Sequence, residues 1–276
     1  MEALLAQRKR VRCPVVAGVF YPEERKETLE YLRGLNTGKG RAGNAKAVIA
    51  PHGAWGLSGT LAARAFHAAA GREVSRVVIM GPVHDRRERG VFLSNSHSFQ
   101  TPLGKIPVDL SLTKELELYG SYFETNDIPH LGEHSIEILL PFVKYCFPRA
   151  SIVPVLMGQP NIEYISDLAR ALRIVVGPVL DDTLFVVSCN LSSSSDRAEA
   201  WQLAEETLRL FQMKDAPALT SAILESGINA CGGALVAALF ASGLLDNARP
   251  CFADCSIISA VGVENDTVYY GALSFE

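Results

Sequence analysis

Short apolar runs alternate along this chain with longer segments that mix apolar and polar residues. An apolar run without polar alternation is typical of a strand that is covered on both faces of its sheet. The longer segments repeat their apolar residues at helical spacing. The apolar runs predict strands over residues 15–20, 46–50, 76–80, 151–157, 183–188, 256–261 and 267–273. The mixed segments predict helices over residues 23–33, 57–70, 133–147, 162–176, 197–213, 217–225 and 232–244.

The order of these elements predicts an α/β fold, with a mixed and mostly buried sheet flanked by helices. Residues 91–93 and 105–108 suggest a hairpin-like excursion about Thr101–Gly104, and the last two strands suggest an antiparallel pair about Glu264–Asp266. No linker or change in composition divides the chain. We therefore expect residues 1–276 to form a single domain.

Composition and charge narrow the class of protein. The 276 residues are 48% hydrophobic and 20% charged, with a formal net charge of −4. This composition argues against a disordered chain, and the acidic balance argues against a nucleic-acid partner, whose phosphates attract basic surfaces. Residues 226–245 contain no charged side chain but several glycines and serines, which favours a buried helix over a membrane span. We expect no membrane partner.

The first ten residues lack the apolar segment of a signal peptide, and the six cysteines are scattered along the chain. A chain of this length needs no disulfide in order to fold. These features predict a cytoplasmic protein with reduced thiols.

Three side chains that can bind metals fall at the ends of predicted elements. His52 and His84 follow two buried strands, and Cys231 begins a helix, where the positive end of the helix dipole favours a thiolate. Ligands of α/β sheets bind beyond the carboxyl ends of the strands. Two imidazoles and one thiolate suit iron, copper or zinc. Their spacing fits no local metal motif, so polar loop histidines and a small buried cysteine remain the alternatives.

A second candidate is His134, which follows Glu133 at the start of a predicted helix. The carboxylate of Glu133 complements the helix dipole, and this alone accounts for its position. His134 is either a side chain that lines a cleft or a structural residue. The chain has no G-x-S-x-G turn of the kind found in many serine hydrolases. The glycines at 38, 40 and 43 have the spacing G-x-G-x-x-G but follow no strand in the right register, so they do not support a dinucleotide site.

Several motifs together resemble the Memo family. They occur in the family's order and span nearly the whole chain: Val16–Pro22, Ala50–His52 with Ser58–Gly59, Gly81–His84, Thr101–Gly104, and Glu133–Glu137 with Leu140–Phe142. The resemblance implies a fold similar to the class III extradiol ring-cleavage dioxygenases, which hold non-haem iron with two histidines and a carboxylate. In Memo proteins a cysteine takes the place of the carboxylate. By this resemblance His52, His84 and Cys231 match the metal positions.

The chain departs from the family pattern around the same cleft. The family usually reads Pro-His-Ala-Gly-Tyr, whereas Pro51–Trp55 of this chain reads Pro-His-Gly-Ala-Trp. Gly53 and Ala54 therefore stand in the reverse order, and Trp55 replaces the tyrosine. Asp85 replaces the second histidine of Gly-Pro-x-His-His. The usual Ser-Asp-x-Ser-His is Cys189–Ser193, which places Asn190 at the aspartate position and Ser193 at the histidine position. Neither replacement titrates near neutral pH. The chain therefore has fewer side chains for acid–base catalysis than the family usually has, while the three metal-ligand positions are kept.

These observations predict a metal-binding protein that is redox-active or related to the dioxygenases, with iron as the first choice and copper or zinc as alternatives. His134 and Asn190 are the expected catalytic side chains. Trp55, Asp85 and Ser193 are expected to line the cleft, which would accept a small molecule or a peptide. One alternative is a scaffold that binds phosphopeptides, with Arg86, Arg87 and Arg89 as the phosphate contacts; the other is a relative without metal. Substrate, turnover and oligomeric state stay open.

Overall fold

The centre of the fold is an eight-stranded mixed sheet in a computed structural model that describes residues 9–35, 42–85, 87–251, 258–261 (backbone) and 266–276. The strands are β1 Val11–Arg12, β2 Ala47–Ala50, β3 Arg76–Pro82, β4 Val91–Leu93, β5 Ser98–Thr101, β6 Gly104–Pro107, β7 Phe123–Thr125, β8 Ser151–Met157, β9 Thr183–Ser188, β10 Ser192–Ser194, β11 Pro250–Cys251, β12 Ile258–Val261, β13 Thr267–Tyr270 and β14 Leu273–Phe275. The helices are α1 Arg25–Gly34, α2 Trp55–His67, α3 Leu110–Tyr119, α4 Ile128–Gly132, α5 Leu140–Cys146, α6 Ile162–Ala171, α7 Arg197–Met213, α8 Ala216–Leu224 and α9 Gly233–Ala241.

The main sheet has the order β11-β14-β2-β9-β3-β8-β4-β7. Its middle strands β2, β9, β3 and β8 run parallel, whereas β14 pairs antiparallel with β2 and β4 pairs antiparallel with β8. The middle strands are almost wholly buried because helices cover both faces of the sheet. The predicted α/β fold with a mixed, buried sheet is therefore confirmed.

Two apolar clusters occupy the two faces of this sheet. One contains Leu168 of α6, Phe211 of α7 and much of α9. The other contains Phe66 of α2 and Phe142 of α5, whose rings stack with centroids 5.5 Å apart. The chargeless segment that raised the membrane question supplies α9, which is buried in the first cluster. Within the described ranges, no helix is long and apolar enough to cross a membrane.

The predicted first strand over residues 15–20 does not form. The backbone N–H groups of Val15 and Val16 donate to the Glu137 carboxylate instead of to a neighbouring strand. Gly18 then adopts a φ of +79°, a left-handed conformation that favours glycine and ends any extended run. This apolar segment is a loop that is held by a buried charge.

The predicted helix over residues 133–147 is also wrong in its first half. Residues 133–136 are irregular, a 3₁₀ turn covers Glu137–Leu139, and α5 begins only at Leu140. Pro141 lies in the first turn of α5, where its missing N–H costs no hydrogen bond. The irregular stretch leaves the amides of residues 134 and 135 free to bind a carboxylate.

The hairpin and the final strand pair differ in detail from their predictions. The hairpin about residues 101–104 joins β5 and β6, while β4 belongs to the main sheet. The strands β12 and β13 form the expected antiparallel pair, and most of their connecting turn, residues 262–265, lies outside the described residues. β13 also pairs with β10, so a small three-stranded sheet forms beside the carboxyl end of β9.

Candidate metal centre

Three parallel strands of the main sheet deliver polar side chains to one edge. His52, His84 and Asn190 each follow the last residue of a strand by two positions, after β2, β3 and β9. These strands are neighbours in the sheet and run in the same direction, so their carboxyl ends meet. Cys231 lies two residues before α9 and joins them from the other side of the cleft.

Two of the predicted metal ligands are in direct contact. The Cys231 Sγ lies 3.3 Å from the His52 Nε2. The ring of His84 lies edge-on to that of His52, with centroids 5.2 Å apart and an interplanar angle of 80°. In the described part of the chain, a different trio has ligand atoms that all lie within 4.8 Å of one another: His84, Glu133 and His134.

The hydrogen bonds of His52 fix which ring nitrogen carries its proton. The Ser188 hydroxyl donates its one hydrogen to the Ser135 carbonyl at 2.6 Å. The same Ser188 oxygen lies 2.7 Å from the His52 Nδ1, so that nitrogen must be the donor. In the neutral ring the lone pair is therefore on Nε2, which faces Cys231.

Glu133 fixes the proton of the His84 ring on Nδ1, as Ser188 does for His52. Its Oε1 lies 2.9 Å from the His84 Nδ1, and its Oε2 accepts from the His84 backbone N–H at 2.7 Å. The Oε1 also accepts from the N–H groups of His134 and Ser135. Because an ionised carboxylate only accepts hydrogen bonds, the His84 Nδ1 carries a proton, and among the described residues its Nε2 has no hydrogen-bond partner. The sequence analysis missed the hydrogen bond from His84 to Glu133, because the helix dipole alone accounted for a carboxylate at this position.

These contacts change the pKa values of both partners. Burial opposes the charged form of Glu133, but hydrogen bonds from His84 and from backbone amides outweigh it and lower its pKa to about 2. Burial also opposes the charged form of His84, but the hydrogen bond and charge of Glu133 raise its pKa overall. Each partner stabilises the charge of the other.

The pKa values of His134 and Cys231 are both lowered, which favours the neutral form of the imidazole and the charged form of the thiol. Burial, with the nearby charge of His52 second, lowers the pKa of His134 to about 4, so this ring is neutral at pH 7. A hydrogen bond from Cys189 lowers the pKa of Cys231 well below its usual range, with help from His52. The cleft thus contains a stabilised thiolate and a neutral imidazole, that of His134.

Asn190 and Ser193, the two replacements in the polar loop, have different surroundings. The Asn190 Oδ1 accepts from the His52 backbone N–H at 3.0 Å, and its own N–H donates to the Cys231 Sγ at 3.1 Å. Asn190 therefore bridges two predicted ligands. Ser193 lies in β10 and exchanges backbone hydrogen bonds with the Asn229 side chain. No contact between the Ser193 side chain and His52 or Cys231 is recorded within the described ranges.

The other two predicted cleft residues lie further from the histidines. Trp55 is 3% exposed, donates from Nε1 to the Ile138 carbonyl and packs on the Phe142 ring. It supports the cleft from the apolar core. Asp85 lies on the exposed loop after His84 and forms an ion pair with Arg87. The hydrogen bonds from Arg87 lower the pKa of Asp85 to about 2.

Tyr270 is a cleft residue that the sequence reasoning missed. A Cβ added to Gly53 would lie 2.8–2.9 Å from Tyr270 Cε1, Cζ and Oη, so the phenol occupies the space beside His52 that an alanine methyl would need. Tyr270 is 5% exposed, and burial, with the charge of Cys231 second, raises its pKa. The one available signal was Gly53 itself, which stands where the family usually has alanine.

Comparison with known proteins agrees with this architecture. A family model described as Memo-like protein matches residues 12–256. A MEMO1 family protein of Thermotoga neapolitana is 30% identical over 246 residues, covering 84% of this chain and 88% of its own. Another, from Methanobrevibacter smithii, is 32% identical over 236 residues, covering 80% and 83%. A third, from Nitrosopumilus maritimus, is 26% identical and covers 96% of this chain and 99% of its own.

A solved structure supports the fold independently of the sequence. An uncharacterized protein of Escherichia coli K12 superposes with a TM-score of 0.55, covering 83% of this chain and 99% of its own, at 12% sequence identity. That identity carries no information on activity, and the likeness is one of fold alone. The match of the family model over most of the chain and the curated relatives settle the membership: this chain belongs to the Memo family.

Proposed function

We propose that this chain binds one transition-metal ion through the His52 Nε2, the His84 Nε2 and the Cys231 Sγ, and uses it in redox chemistry on a small molecule. The observation that carries the proposal is the commitment of both Nδ1 protons, one to Ser188 and one to Glu133. Metal-binding histidines usually donate their second nitrogen to such a partner, which leaves the other nitrogen free for the ion. Two nitrogens and a thiolate suit iron, copper or zinc, and the family resemblance favours iron.

The trio of His84, Glu133 and His134 has the closer spacing but the poorer chemistry for one ion. Both oxygens of Glu133 are already used, by three backbone N–H groups and the His84 Nδ1. The rings of His84 and His134 stack at 4.6 Å with an interplanar angle of 19°. Lone pairs in nearly parallel planes do not converge on one ion, whereas the perpendicular rings of His52 and His84 can share one.

A metal with an open position supplies Lewis acidity and electron transfer to a bound small molecule. The chain supplies the rest. Asn190 holds the His52 backbone and the Cys231 sulfur but cannot take up a proton. His134 is neutral at pH 7 and stacks on His84, so its ring nitrogen can accept a proton from a ligand. We therefore assign the acid–base role to His134 alone.

Metal analysis of protein purified without an affinity tag tests the proposal. We expect about one ion per chain in the wild type and loss of the ion in His52→Ala and Cys231→Ser, because each change removes one of three ligands. Cys146→Ser is the matched control, since this half-buried thiol lies outside the cleft on α5. In the cobalt-substituted protein, a sulfur-to-cobalt charge-transfer band should disappear only in Cys231→Ser. Retention of the ion in both ligand variants, with loss in His134→Ala, would establish the other trio.

The phosphopeptide scaffold receives less support from the loop after His84. Arg87 is paired with Asp85, and Arg89 donates to the Glu88 carbonyl. Arg86 lies outside the described residues. Binding of a phosphotyrosine peptide that persists after metal removal would favour the scaffold over the redox role.

A further inference from the structure

We infer that Cys189 and Cys231 form an oxidisable thiol pair, in which a hydroperoxide oxidises Cys231 and Cys189 then closes a disulfide. This modification goes beyond the metal-dependent role proposed above and does not require it. The first argument is geometric. The Cys189 Sγ lies 3.2 Å from the Asn190 carbonyl oxygen, and the Cys231 Sγ lies 3.7 Å from the same oxygen.

The backbone around the two thiols is equally close. A Cβ added to Gly232 would lie 2.8 Å from the Cys189 Cβ and 2.3 Å from the Ser188 carbonyl oxygen. The segment that carries Cys231 therefore packs directly on Cys189, without an intervening side chain. A disulfide needs Cα atoms about 4.4–6.8 Å apart, and the contact of Gly232 with Cys189 brings the backbone next to Cys231 close to that of Cys189.

The two thiols differ in access, which assigns their roles. Cys231 is exposed, whereas Cys189 is fully buried. An oxidant from solvent therefore reaches Cys231 first, and Cys189 can react only with its neighbour.

The chemistry balances with hydrogen peroxide or an alkyl hydroperoxide as the oxidant. The Cys231 sulfur attacks one peroxide oxygen, the O–O bond breaks, and water or an alcohol leaves with the thiol proton, giving a sulfenic acid. The Cys189 sulfur then attacks the Cys231 sulfur, the S–O bond breaks, and the hydroxyl leaves as water with the Cys189 proton. Two thiols and one hydrogen peroxide become one disulfide and two molecules of water; with an alkyl hydroperoxide, one of the two waters is replaced by an alcohol.

The experiment treats the full-length, metal-free protein with hydrogen peroxide and maps its peptides by tandem mass spectrometry without reduction. We expect the chain to lose the mass of two hydrogen atoms reversibly, with a Cys189–Cys231 cross-link. In Cys189→Ser the cross-link should be lost, and dimedone should trap Cys231 as its sulfenic acid. Cys189→Ala is a second variant with the same expected result, and Cys146→Ser should behave as the wild type. Peroxide-treated wild type without this cross-link, or equal dimedone labelling of Cys231 with and without Cys189, would overturn the inference.

The same oxidation, repeated on protein loaded with zinc, tests this inference separately from the proposed metal site. If Cys231 is a metal ligand, prior loading with zinc should slow the oxidation. A cross-link that forms at the same rate with zinc present would count against the proposed function and leave the thiol pair established.

Discussion

Removing the charge of Glu133, by Glu133→Gln, tests the link between the hydrogen bond that Glu133 makes to His84 and the proposed metal site. The glutamine keeps the shape of the side chain but can present only one accepting oxygen. The wild-type carboxylate accepts four hydrogen bonds, including one from the His84 Nδ1. Hydrogen bonds to a charged group contribute about 1.5–3 kcal/mol each, and a buried donor left without a partner adds a similar penalty.

The pKa of Glu133 gives a second measure of the same effect. A fall from its ordinary value of 4.5 to about 2, for a carboxyl group that is 5% exposed, corresponds to about 3 kcal/mol of stability. We therefore expect Glu133→Gln to lower the free energy of unfolding by about 2–3 kcal/mol at pH 5.5. Glu206→Gln, which changes an exposed ion pair with Arg209, should cost under about 1 kcal/mol.

The deficit of Glu133→Gln should depend on pH in a defined way. Because the pKa of Glu133 is lowered by folding, its contribution is present above pH 4.5 and is lost as the pH falls towards about 2. Because the pKa of His84 is raised, its contribution is present below pH 6.5 and is lost as the pH rises through the folded pKa. The deficit should therefore be largest between these two values.

Urea unfolding of wild type and variant from pH 3 to pH 8 measures this difference, and competition with a chromogenic chelator measures metal affinity. We expect affinity to fall about 10–100-fold, as is usual when a partner of a ligating histidine is removed. A deficit that is constant across this pH range would refute the electrostatic account. Unchanged metal affinity would show that the ion does not depend on the orientation of His84.

Two further predictions concern other parts of the cleft. Gly53→Ala should destabilise the fold by about 1–3 kcal/mol in urea unfolding, because the new methyl group would overlap the Tyr270 ring. The control Gly56→Ala, whose added methyl group meets nothing within 4 Å, should stabilise α2 by about 0.5–1 kcal/mol. Equal effects of the two substitutions would remove the steric argument. Asn190→Asp combined with Ser193→His should leave the metal content per chain unchanged by elemental analysis while altering proton transfer, and a double variant that gains metal absent from the parent would make these positions ligands.

The sequence predicted the middle of the sheet and the long helices well, and it did so for a physical reason. The strands β2, β3, β8 and β9 are covered on both faces, so nothing interrupts their apolar runs. The bounds of α7, residues 197–213, match their prediction. Local pattern suffices where the burial of a segment is uniform.

The failures occur where a distant residue decides the local structure. Residues 15–20 read as a strand, but their amides bind Glu137, which lies more than a hundred positions away in the sequence. Likewise, no spacing rule could bring His52 to His84, whereas the parallel order of β2, β9 and β3 does so at once. The hold of Glu133 on His84 depends on an irregular loop that helical periodicity had concealed.

The pairing of β14 with β2 and the position of Tyr270 over Gly53 have a consequence for synthesis in the cell. His52 leaves the ribosome early, but the strand beside β2 and the phenol that covers the neighbouring glycine are translated some two hundred codons later. Contacts between such distant parts of a chain form slowly, because a long loop must close first. The wall of the cleft around His52 is therefore completed only after residues 267–275 have emerged from the exit tunnel.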